Sequence, residues 1–224
     1  MKSKIGRSLW IGSLICLLPI AFGLICYNKL PDSMVIHLDY RGKPNGNAPK
    51  EFIIFVFPIL MMLLNIIINI SVAKAAVKGN AAKPLIGIGK WIVPIATVMI
   101  QPLIILRSIN SQSPVNLIIS IMVGLIFILS GNYFPKNRVN PIVGMKFPWL
   151  FNDEEGWRKT HKLSSYLWII AGFILMIAPF IEIPFIIIFI VLISLIGVIP
   201  IVYSLCFYIR RKSNHINNSE SSLK

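Results

Sequence analysis

The polar residues that could carry out chemistry are concentrated in residues 131–162, the one long polar interruption in the C-terminal two-thirds of an apolar chain. An acidic run, Asp153-Glu154-Glu155, is followed there by His161. Carboxylates and an imidazole are the usual general acids and bases, so a membrane-embedded hydrolase is one hypothesis for this segment. It would require Glu155 and His161 to converge, and residues six apart in a helix do not share a face.

A helix start accounts for the same residues without catalysis. Asn152, with Glu155 three positions later, fits a capping box, and acidic residues in a first turn interact favourably with the helix dipole. Glu155 and Lys159 form an i,i+4 pair in the favourable order. Trp157 and His161 are also four apart and would share a face at the membrane interface, where tryptophan is a common anchor. We therefore predict a helix that begins near Asn152 and no catalytic residue.

A metal site has one weak candidate, in the loop formed by residues 29–51. His37 and Asp39 alternate with apolar residues there, the period of a short strand, and turn-forming residues follow at 42–46. Two ligands without a third or fourth nearby do not make a zinc site, so a solvated strand face is the simpler interpretation. The three cysteines lie in apolar runs without a Cys-x-x-Cys pair, which favours a role as small hydrophobic residues. No metal and no cofactor are predicted.

Composition places the chain among membrane proteins. Hydrophobic residues make up 56% of its 224 positions and charged residues only 13%, about half of what a soluble domain carries. The formal charge of +14 could indicate nucleic-acid binding, but the basic residues lie in short loops between apolar runs. That distribution is typical of membrane topology, so no direct nucleic-acid binding is predicted.

Six apolar segments are long enough to cross a membrane as helices. The first is too long for the apolar core of a usual signal peptide and lacks a small-residue cleavage site, so it is predicted to stay uncleaved. The predicted spans are 8–27, 52–73, a third that begins at Leu85 or Trp91 and ends at Leu106, 115–134, 163–178 and 185–208. The predicted fold class is an all-α integral membrane protein. Its parts are an N-terminal two-helix module at 1–80, a second membrane module at 81–209 and a disordered polar tail at 210–224.

The distribution of Lys and Arg predicts the orientation. With six spans, both termini, the 74–90 connector and the 131–162 loop share one side of the membrane. That side holds all of the 22 Lys and Arg residues except Lys29, Arg41, Lys43, Lys50 and Arg107. Since positive residues stay cytoplasmic, both termini and the 131–162 loop are predicted to be cytoplasmic, and the strand-like 29–51 loop faces outward.

The spans contain almost no ionisable residues; Lys90, near the end of its segment, is the exception. Ion-coupled transporters usually bury such groups, so this composition argues against a secondary transporter. Pro94, Gln101 and Pro102 lie within the third span, where they could line a cavity or merely bend the helix. A permease or channel for a small neutral solute or lipid therefore remains the alternative function.

Several short blocks in the 131–162 loop resemble those of the SdpI-like immunity proteins. The blocks are Gly131-Asn132-Tyr133, Pro135-Lys136 and Asn140, then Gly144-Met145-Lys146-Phe147-Pro148-Trp149, then Trp157-Arg158-Lys159-Thr160-His161. That family has a GNxxPK block, an Asn, a GIRTPW-type block and a WxKTH-type helix entry, in this order and spacing. Lys146 stands here in place of the usual Arg, and Phe147 in place of the common Thr. The segment LPDSMVIHLDYRGKPNG at 30–46 resembles the small uncharacterised domain that often precedes this module.

This resemblance implies a multi-pass protein of the bacterial plasma membrane that protects its cell against a secreted, membrane-active killing peptide. It also implies that the protein can hold a small cytoplasmic transcriptional repressor at the membrane. The basic loop could dock such a partner or anionic lipid headgroups. The candidate partner-binding residues of this cytoplasmic loop are Asn132, Tyr133, Pro135, Lys136, Asn140, Gly144, Lys146, Pro148, Trp149, Trp157, Arg158 and His161.

The outward loop supplies the candidates for contact with the killing peptide, which are His37, Asp39 and Tyr40. The lipid bilayer is the remaining partner. A purely structural alternative is also open for the 131–162 loop, because its prolines and Gly144 could serve only to shape a rigid connection between two helices.

Overall fold

The computed structural model describes residues 3–38, 44–77, 82–110, 114–140, 143–181 and 183–221. Within these residues, six helical segments are long and apolar enough to cross a membrane, which confirms the predicted multi-pass fold. The helices are α1 (Ser3–Cys26), α2 (Phe57–Val77), α3 (Lys83–Ile109), α4 (Val115–Tyr133), α5 (Glu154–Ile177), and α6 (Phe185–Ile193) followed by α7 (Ile199–Ser221) in the last segment. The same residues contain two strands, β1 (Ser33–Leu38) and β2 (Pro44–Pro49).

Two helices extend well beyond the apolar segments that predicted them. α5 begins at Glu154, which confirms the helix start predicted near Asn152, and its charged first turns continue without a break into the apolar segment 163–178. α7 runs to Ser221, into the polar tail for which composition predicted disorder, and Arg211 in that extension bonds to Asp153 just before α5. Hydropathy marks only the part of a helix that suits the lipid, so it does not report polar turns at either end.

α1, α2 and α3 pack together through a buried polar seam. Asn65 Nδ2 donates to Ser13 Oγ at 3.2 Å, which joins α2 to α1. Asn69 Nδ2 donates to Asn65 Oδ1 at 2.8 Å and to the Lys90 carbonyl at 3.2 Å, which joins α2 to α3. Both asparagine side chains are buried, and because they are four residues apart on one face of α2, the pair serves helix packing.

The prolines of the third span do not break it, because α3 is continuous through Pro94 and Pro102. Gln101, between them, is buried, and its Nε2 donates to the Ile53 carbonyl at 2.9 Å. That carbonyl belongs to a π-helical segment, Phe52–Val56, that leads into α2. Gln101 thereby ties α3 to the start of α2.

α4 and α5 approach each other closely at small residues. A Cβ atom on Gly124 would lie 2.7 Å from the Gly172 carbonyl oxygen, and one on Gly172 would lie 2.6 Å from the Gly124 carbonyl oxygen. Further along α4, a Cβ atom on Gly131 would lie 2.9 Å from the Ser165 carbonyl oxygen. Small residues let membrane helices pack backbone to backbone, so this contact fixes the two ends of the loop that connects α4 to α5.

β1 and β2 form an antiparallel hairpin between α1 and α2. Met34 and Ala48 on its inner face are buried against the helices. The strand predicted from alternation is confirmed as far as Leu38, whereas Asn45-Gly46, which was expected in the turn, lies in β2. An Asn-Gly pair is a common turn signal, but here the pairing register places Gly46 opposite His37.

The base of this hairpin is closed by an ion pair. The Lys50 ammonium donates to Asp32 Oδ1 at 2.8 Å, and this hydrogen bond holds the pKa of the Asp32 carboxyl below its usual value. Because the Asp32 side chain is almost fully exposed, the pair shapes the hairpin more than it stabilises the fold.

Three chain segments meet at the other end of the helices. The Ala82 backbone N–H, just before α3, donates to Asn137 Oδ1 at 3.2 Å. Arg211 of α7 bonds to Asp153, at the end of the same loop as Asn137. The start of α3, the described part of the α4–α5 loop and the α7 extension therefore lie at one end of the helices, as six successive crossings of a membrane require.

Candidate functional site

The candidate site is the motif loop, defined as residues 134–153, together with the first two turns of α5. A single 3-10 turn, Phe134–Lys136, carries the chain out of α4, and a second, Pro148–Leu150, precedes α5. Between these turns the described residues, 137–140 and 143–147, adopt no regular secondary structure. Side-chain hydrogen bonds give this stretch its shape.

Asn137 is the centre of that hydrogen-bond network. Its buried side chain donates from Nδ2 to the Val143 carbonyl at 2.7 Å. Its Oδ1 accepts from Asn140 Nδ2 at 3.0 Å as well as from the Ala82 N–H. Its own carbonyl accepts the indole N–H of Trp157 at 2.7 Å. A single residue thus joins two parts of the loop to the start of α3 and to α5.

Asn140 completes the turn on the other side of Asn137. Its Nδ2 also donates to the Arg138 carbonyl at 2.7 Å, and its Oδ1 accepts from the Val143 N–H at 2.8 Å. Asparagine side chains often replace backbone groups in this way where a chain turns without a helix or a strand. The side chain is 4% exposed, so Asn140 holds the loop from inside.

His161 holds the second half of the loop against α5. The Met145 N–H donates to His161 Nε2 at 3.1 Å, so Nε2 must be unprotonated. Nδ1 therefore carries the proton, and it donates to the Trp157 carbonyl at 2.9 Å. The ring is fully buried, stacked on Trp157 with 4.2 Å between centroids and meeting the edge of Phe134. Both ring nitrogens are used by the backbone, so His161 acts here as a structural residue.

Gly144 allows the loop to pass directly over the imidazole. Its φ is +105°, a region that residues with a side chain rarely adopt. A Cβ atom at this position would collide with His161 Nε2 and would lie 2.7 Å from Asn137 Nδ2. Only glycine fits between the two residues that organise the loop.

Trp149 fastens the motif loop to α7. Its Nε1 donates to Ser204 Oγ at 3.2 Å, and Ser204 is buried. Ser204 Oγ in turn donates to the Ile201 carbonyl at 2.9 Å. Phe147 stacks on the indole with 5.5 Å between centroids. The half-buried tryptophan therefore contacts the last helix rather than standing free at the surface.

An ionic cluster makes a second contact between α7 and the start of α5. Arg211 Nη1 bonds to Asp153 Oδ1 and lies 3.4 Å from Glu155 Oε2. Lys159 Nζ lies 2.8 Å from Glu155 Oε1, which confirms the predicted i,i+4 pair. The cap of α5 is Asp153, one residue later than the Asn152 predicted, because Asp153 Oδ1 accepts from the Gly156 N–H at 3.0 Å.

The structure separates the twelve predicted loop residues by exposure. Six are exposed, and these are Asn132, Pro135, Lys136, Lys146, Pro148 and Arg158. Tyr133, Gly144 and Trp149 are half-buried. Asn140, Trp157 and His161 are buried, so their assignment to a partner-binding surface is corrected. The polar side-chain atoms of all three residues bond to backbone groups of the loop or of α5. Trp157 was expected at the membrane interface, but its indole N–H bonds to the Asn137 carbonyl instead.

Sequence reasoning missed three residues on which the site depends. Asn137 lies between two residues that were named, and the run of asparagines in this Pro-rich stretch was the signal that could have identified it. Ser204 and Arg211 gave no such signal, because they contact Trp149 and Asp153 across more than 50 positions of the chain.

On the hairpin, His37 is exposed and its Nδ1 forms a hydrogen bond with Asn45 Oδ1 across the two strands. Asp39 and Tyr40, the other two candidates for outward contact, lie outside the described residues. The described residues contain no group of three or more His, Cys, Asp and Glu side chains that could hold a metal ion.

Comparison with known proteins agrees with the motifs. Residues 136–204 match the SdpI/YfhL protein family, and residues 14–62 match a domain of unknown function, DUF1648. The chain is also similar to the immunity protein SdpI of Bacillus subtilis (strain 168), with 27% identity over 189 residues, which cover 84% of this chain and 89% of that protein. No solved structure matches the chain. The resemblance predicted from the loop blocks and from residues 30–46 is thereby confirmed.

Proposed function

We propose that this chain, whose residues 136–204 match the SdpI/YfhL protein family, protects its cell against a secreted, membrane-active killing peptide. It is a multi-pass bacterial membrane protein of the immunity type. The observation that carries the proposal is the similarity to an immunity protein over 84% of the chain, an extent that includes most of both membrane modules.

The proposed orientation places the motif loop in the cytoplasm. Residues 1–7, 74–90, 131–162 and 210–224 hold 17 of the 22 Lys and Arg residues, and positive loops stay cytoplasmic. The hydrogen bonds of Ala82 and Arg211 bring parts of the last three of these segments to one end of the bundle. In this orientation the β1–β2 hairpin faces outward, where a secreted peptide arrives. His37 and Ile36 are exposed there and form part of the proposed contact, with Asp39 and Tyr40 as its further candidates.

A second element of the proposal is that the exposed surface of the motif loop is required for protection and also docks a small cytoplasmic repressor. Of the predicted loop residues, the exposed ones can make such a contact directly, and Lys146 and Pro148 stand beside the stacked pair Phe147 and Trp149. Aromatic residues are enriched at protein interfaces, so the stacked rings support a contact at this surface. The buried asparagines and His161 would support this surface from below.

Survival under peptide challenge tests the proposal. A sensitive bacterium would express the parent chain, Lys146→Ala or Lys162→Ala, and would be exposed to a panel of membrane-active killing peptides. Both lysines are exposed on the same side of the bundle, but only Lys146 belongs to the proposed surface. We expect the parent and Lys162→Ala to protect, and Lys146→Ala to protect less at equal membrane abundance.

The experiment tests the position of the site and the immunity function independently of each other. If Lys146→Ala protects as well as the parent, the motif-loop surface is not required for immunity, and the β1–β2 hairpin becomes the candidate site. If the parent fails against every peptide while present in the membrane, the immunity function itself is contradicted. Flux of small neutral solutes or lipids in liposomes that contain the purified protein would then test the permease alternative.

A further inference from the structure

A basic cleft opens between the turn that follows α4 and the first turn of α5. Two segments line it, residues 135–139 and residues 154–158, and it encloses about 590 Å³. Lys136, Arg138 and Arg158 contribute cations to its walls, and Glu154 contributes an acid. The cleft is therefore concave, polar and positively charged.

The three cations of the cleft outnumber its one acid, Glu154. Within the described part of the chain, the ion pairs leave out Lys136, Arg138 and Arg158, and all three side chains are exposed. Asp153 is bound instead by Arg211, and Glu155 is shared between Lys159 and Arg211. The cluster around Arg211 thus leaves the positive charge of the cleft available to an anion.

The two walls of the cleft are fastened to each other. The Trp157 indole N–H donates to the Asn137 carbonyl at 2.7 Å, and this bond runs from the α5 wall to the opposite wall. Trp157 and the side chain of Asn137 are buried, so the spacing between the two walls cannot change without breaking the hydrogen-bond network of the loop. Lys136 Nζ lies 5.4 Å from the centroid of the Tyr133 ring, which holds the ammonium beside the entrance. An anion would therefore meet at least one cation, Lys136, that is already in place.

The position of the cleft indicates what kind of anion it meets. It lies where one candidate membrane span ends, at Lys136, and the next begins, at Glu154. In a membrane this is the depth of the lipid phosphates. Arginine binds phosphate through two parallel hydrogen bonds, and lysine adds a point charge. We propose that the cleft binds the phosphate of an anionic phospholipid headgroup in the leaflet that it faces.

Lipid retention by the purified full-length protein tests this proposal. Native mass spectrometry would measure how much phosphatidylglycerol and phosphatidylcholine the protein keeps when released from micelles that contain equal amounts of both. The cleft variant would combine Lys136→Gln, Arg138→Gln and Arg158→Gln. The control variant would combine Lys162→Gln, Arg210→Gln and Lys212→Gln, which removes equal charge from exposed residues on the same side.

We expect the parent and the control variant to retain phosphatidylglycerol in preference to phosphatidylcholine. The cleft variant should retain less phosphatidylglycerol than the parent, by a factor of about ten or more. Unfolding midpoints in phosphatidylcholine alone should be equal for all three proteins. If the cleft variant unfolds earlier, Lys136→Gln and Arg158→Gln would be measured singly, each with an expected loss of about fivefold.

Four results would overturn the proposal. The first is a parent that retains both lipids equally, and the second is an equal loss in the cleft and control variants, which would indicate unspecific attraction. The third is complete displacement of the lipid by millimolar inorganic phosphate, which would assign the cleft to a free anion. A cleft variant that keeps its lipid but loses cross-linking to a cytosolic protein would assign it to a protein partner. Survival under peptide challenge is not a readout here, so the failure of either proposal leaves the other intact.

Discussion

Gly144 and His161 lie so close together that no side chain fits between them. The backbone of Gly144 passes over the imidazole with φ +105°, and the next residue, Met145, donates its N–H to His161 Nε2 at 3.1 Å. The second half of the motif loop is therefore anchored to α5 by a backbone-to-imidazole bond that a Cβ atom would break.

Gly144→Ala is expected to destabilise the protein by about 2–4 kcal/mol, because it adds backbone strain to a collision with His161 Nε2. Thermal unfolding in detergent micelles measures the change. Gly87→Ala is the matched control, since a Cβ atom on Gly87 meets nothing within 4 Å and alanine favours a helix. Equal midpoints for the two variants would contradict the role assigned to Gly144.

His161→Phe should keep the aromatic stack on Trp157 but leave the Met145 N–H without its acceptor. Loss of a partner for a buried backbone donor costs about 1–3 kcal/mol. Hydrogen exchange gives a local readout, and we expect the Met145 amide to exchange much faster in this variant than in the parent. Tyr166→Phe, on an exposed position of the same helix, should leave that amide protected. Unchanged exchange in His161→Phe would show that the imidazole does not hold the loop.

Trp149 and Ser204 are expected to be energetically coupled. Trp149→Phe retains an aromatic ring against Phe147 but removes the donor, and Ser204→Ala removes the acceptor. Each change should cost about 1 kcal/mol, and the double variant should cost less than the sum of the two. A double-mutant cycle on unfolding free energies measures this difference. Strict additivity would mean that the loop is not fastened to α7 by this bond.

The α4–α5 contact should tolerate no side chain at its closest point. In Gly172→Ala the added Cβ would lie 2.6 Å from the Gly124 carbonyl oxygen. That oxygen belongs to the backbone of a packed helix, so the collision can be relieved only by moving α4 and α5 apart. We expect lower membrane abundance and an unfolding midpoint several degrees below that of the parent. Gly197→Ala serves as the control, because nothing lies within 4 Å of a Cβ atom there. Equal abundance and equal midpoints would contradict close packing at Gly172.

Arg211→Gln should have only a small effect on stability, about 1 kcal/mol or less, because the Arg211 side chain is 43% exposed. The effect should shrink as salt is added, since the pairs with Asp153 and Glu155 are open to ions. Arg210→Gln, the adjacent exposed residue, should show neither the loss nor the salt dependence. A large loss that salt does not change would indicate that Arg211 acts through packing instead.

The sequence by itself determined the class of protein and its spans. Apolar length and the distribution of Lys and Arg are local properties of the chain, and a helix in lipid must satisfy its backbone within its own segment. For that reason the six spans, the strand ending at Leu38 and the Glu155–Lys159 pair could all be predicted without knowledge of the tertiary structure. The loop blocks likewise predicted the similarity to the SdpI/YfhL family before any contact was known.

Only the tertiary structure decided which way the polar residues of the loop point. Asn140, Trp157 and His161 look as suitable for a surface as Lys146 does, yet they are buried, because their partners are backbone groups up to 20 positions away. The contacts of Trp149 with Ser204 and of Asp153 with Arg211 cross more than 50 positions. Such pairings depend on how α5 and α7 pack. Neither the hydrophobic periodicity of the sequence nor its distribution of charged residues predicts that packing. The same packing draws Asp153 and Glu155 toward Arg211 and leaves three cations and one carboxylate, that of Glu154, on the walls of the neighbouring cleft.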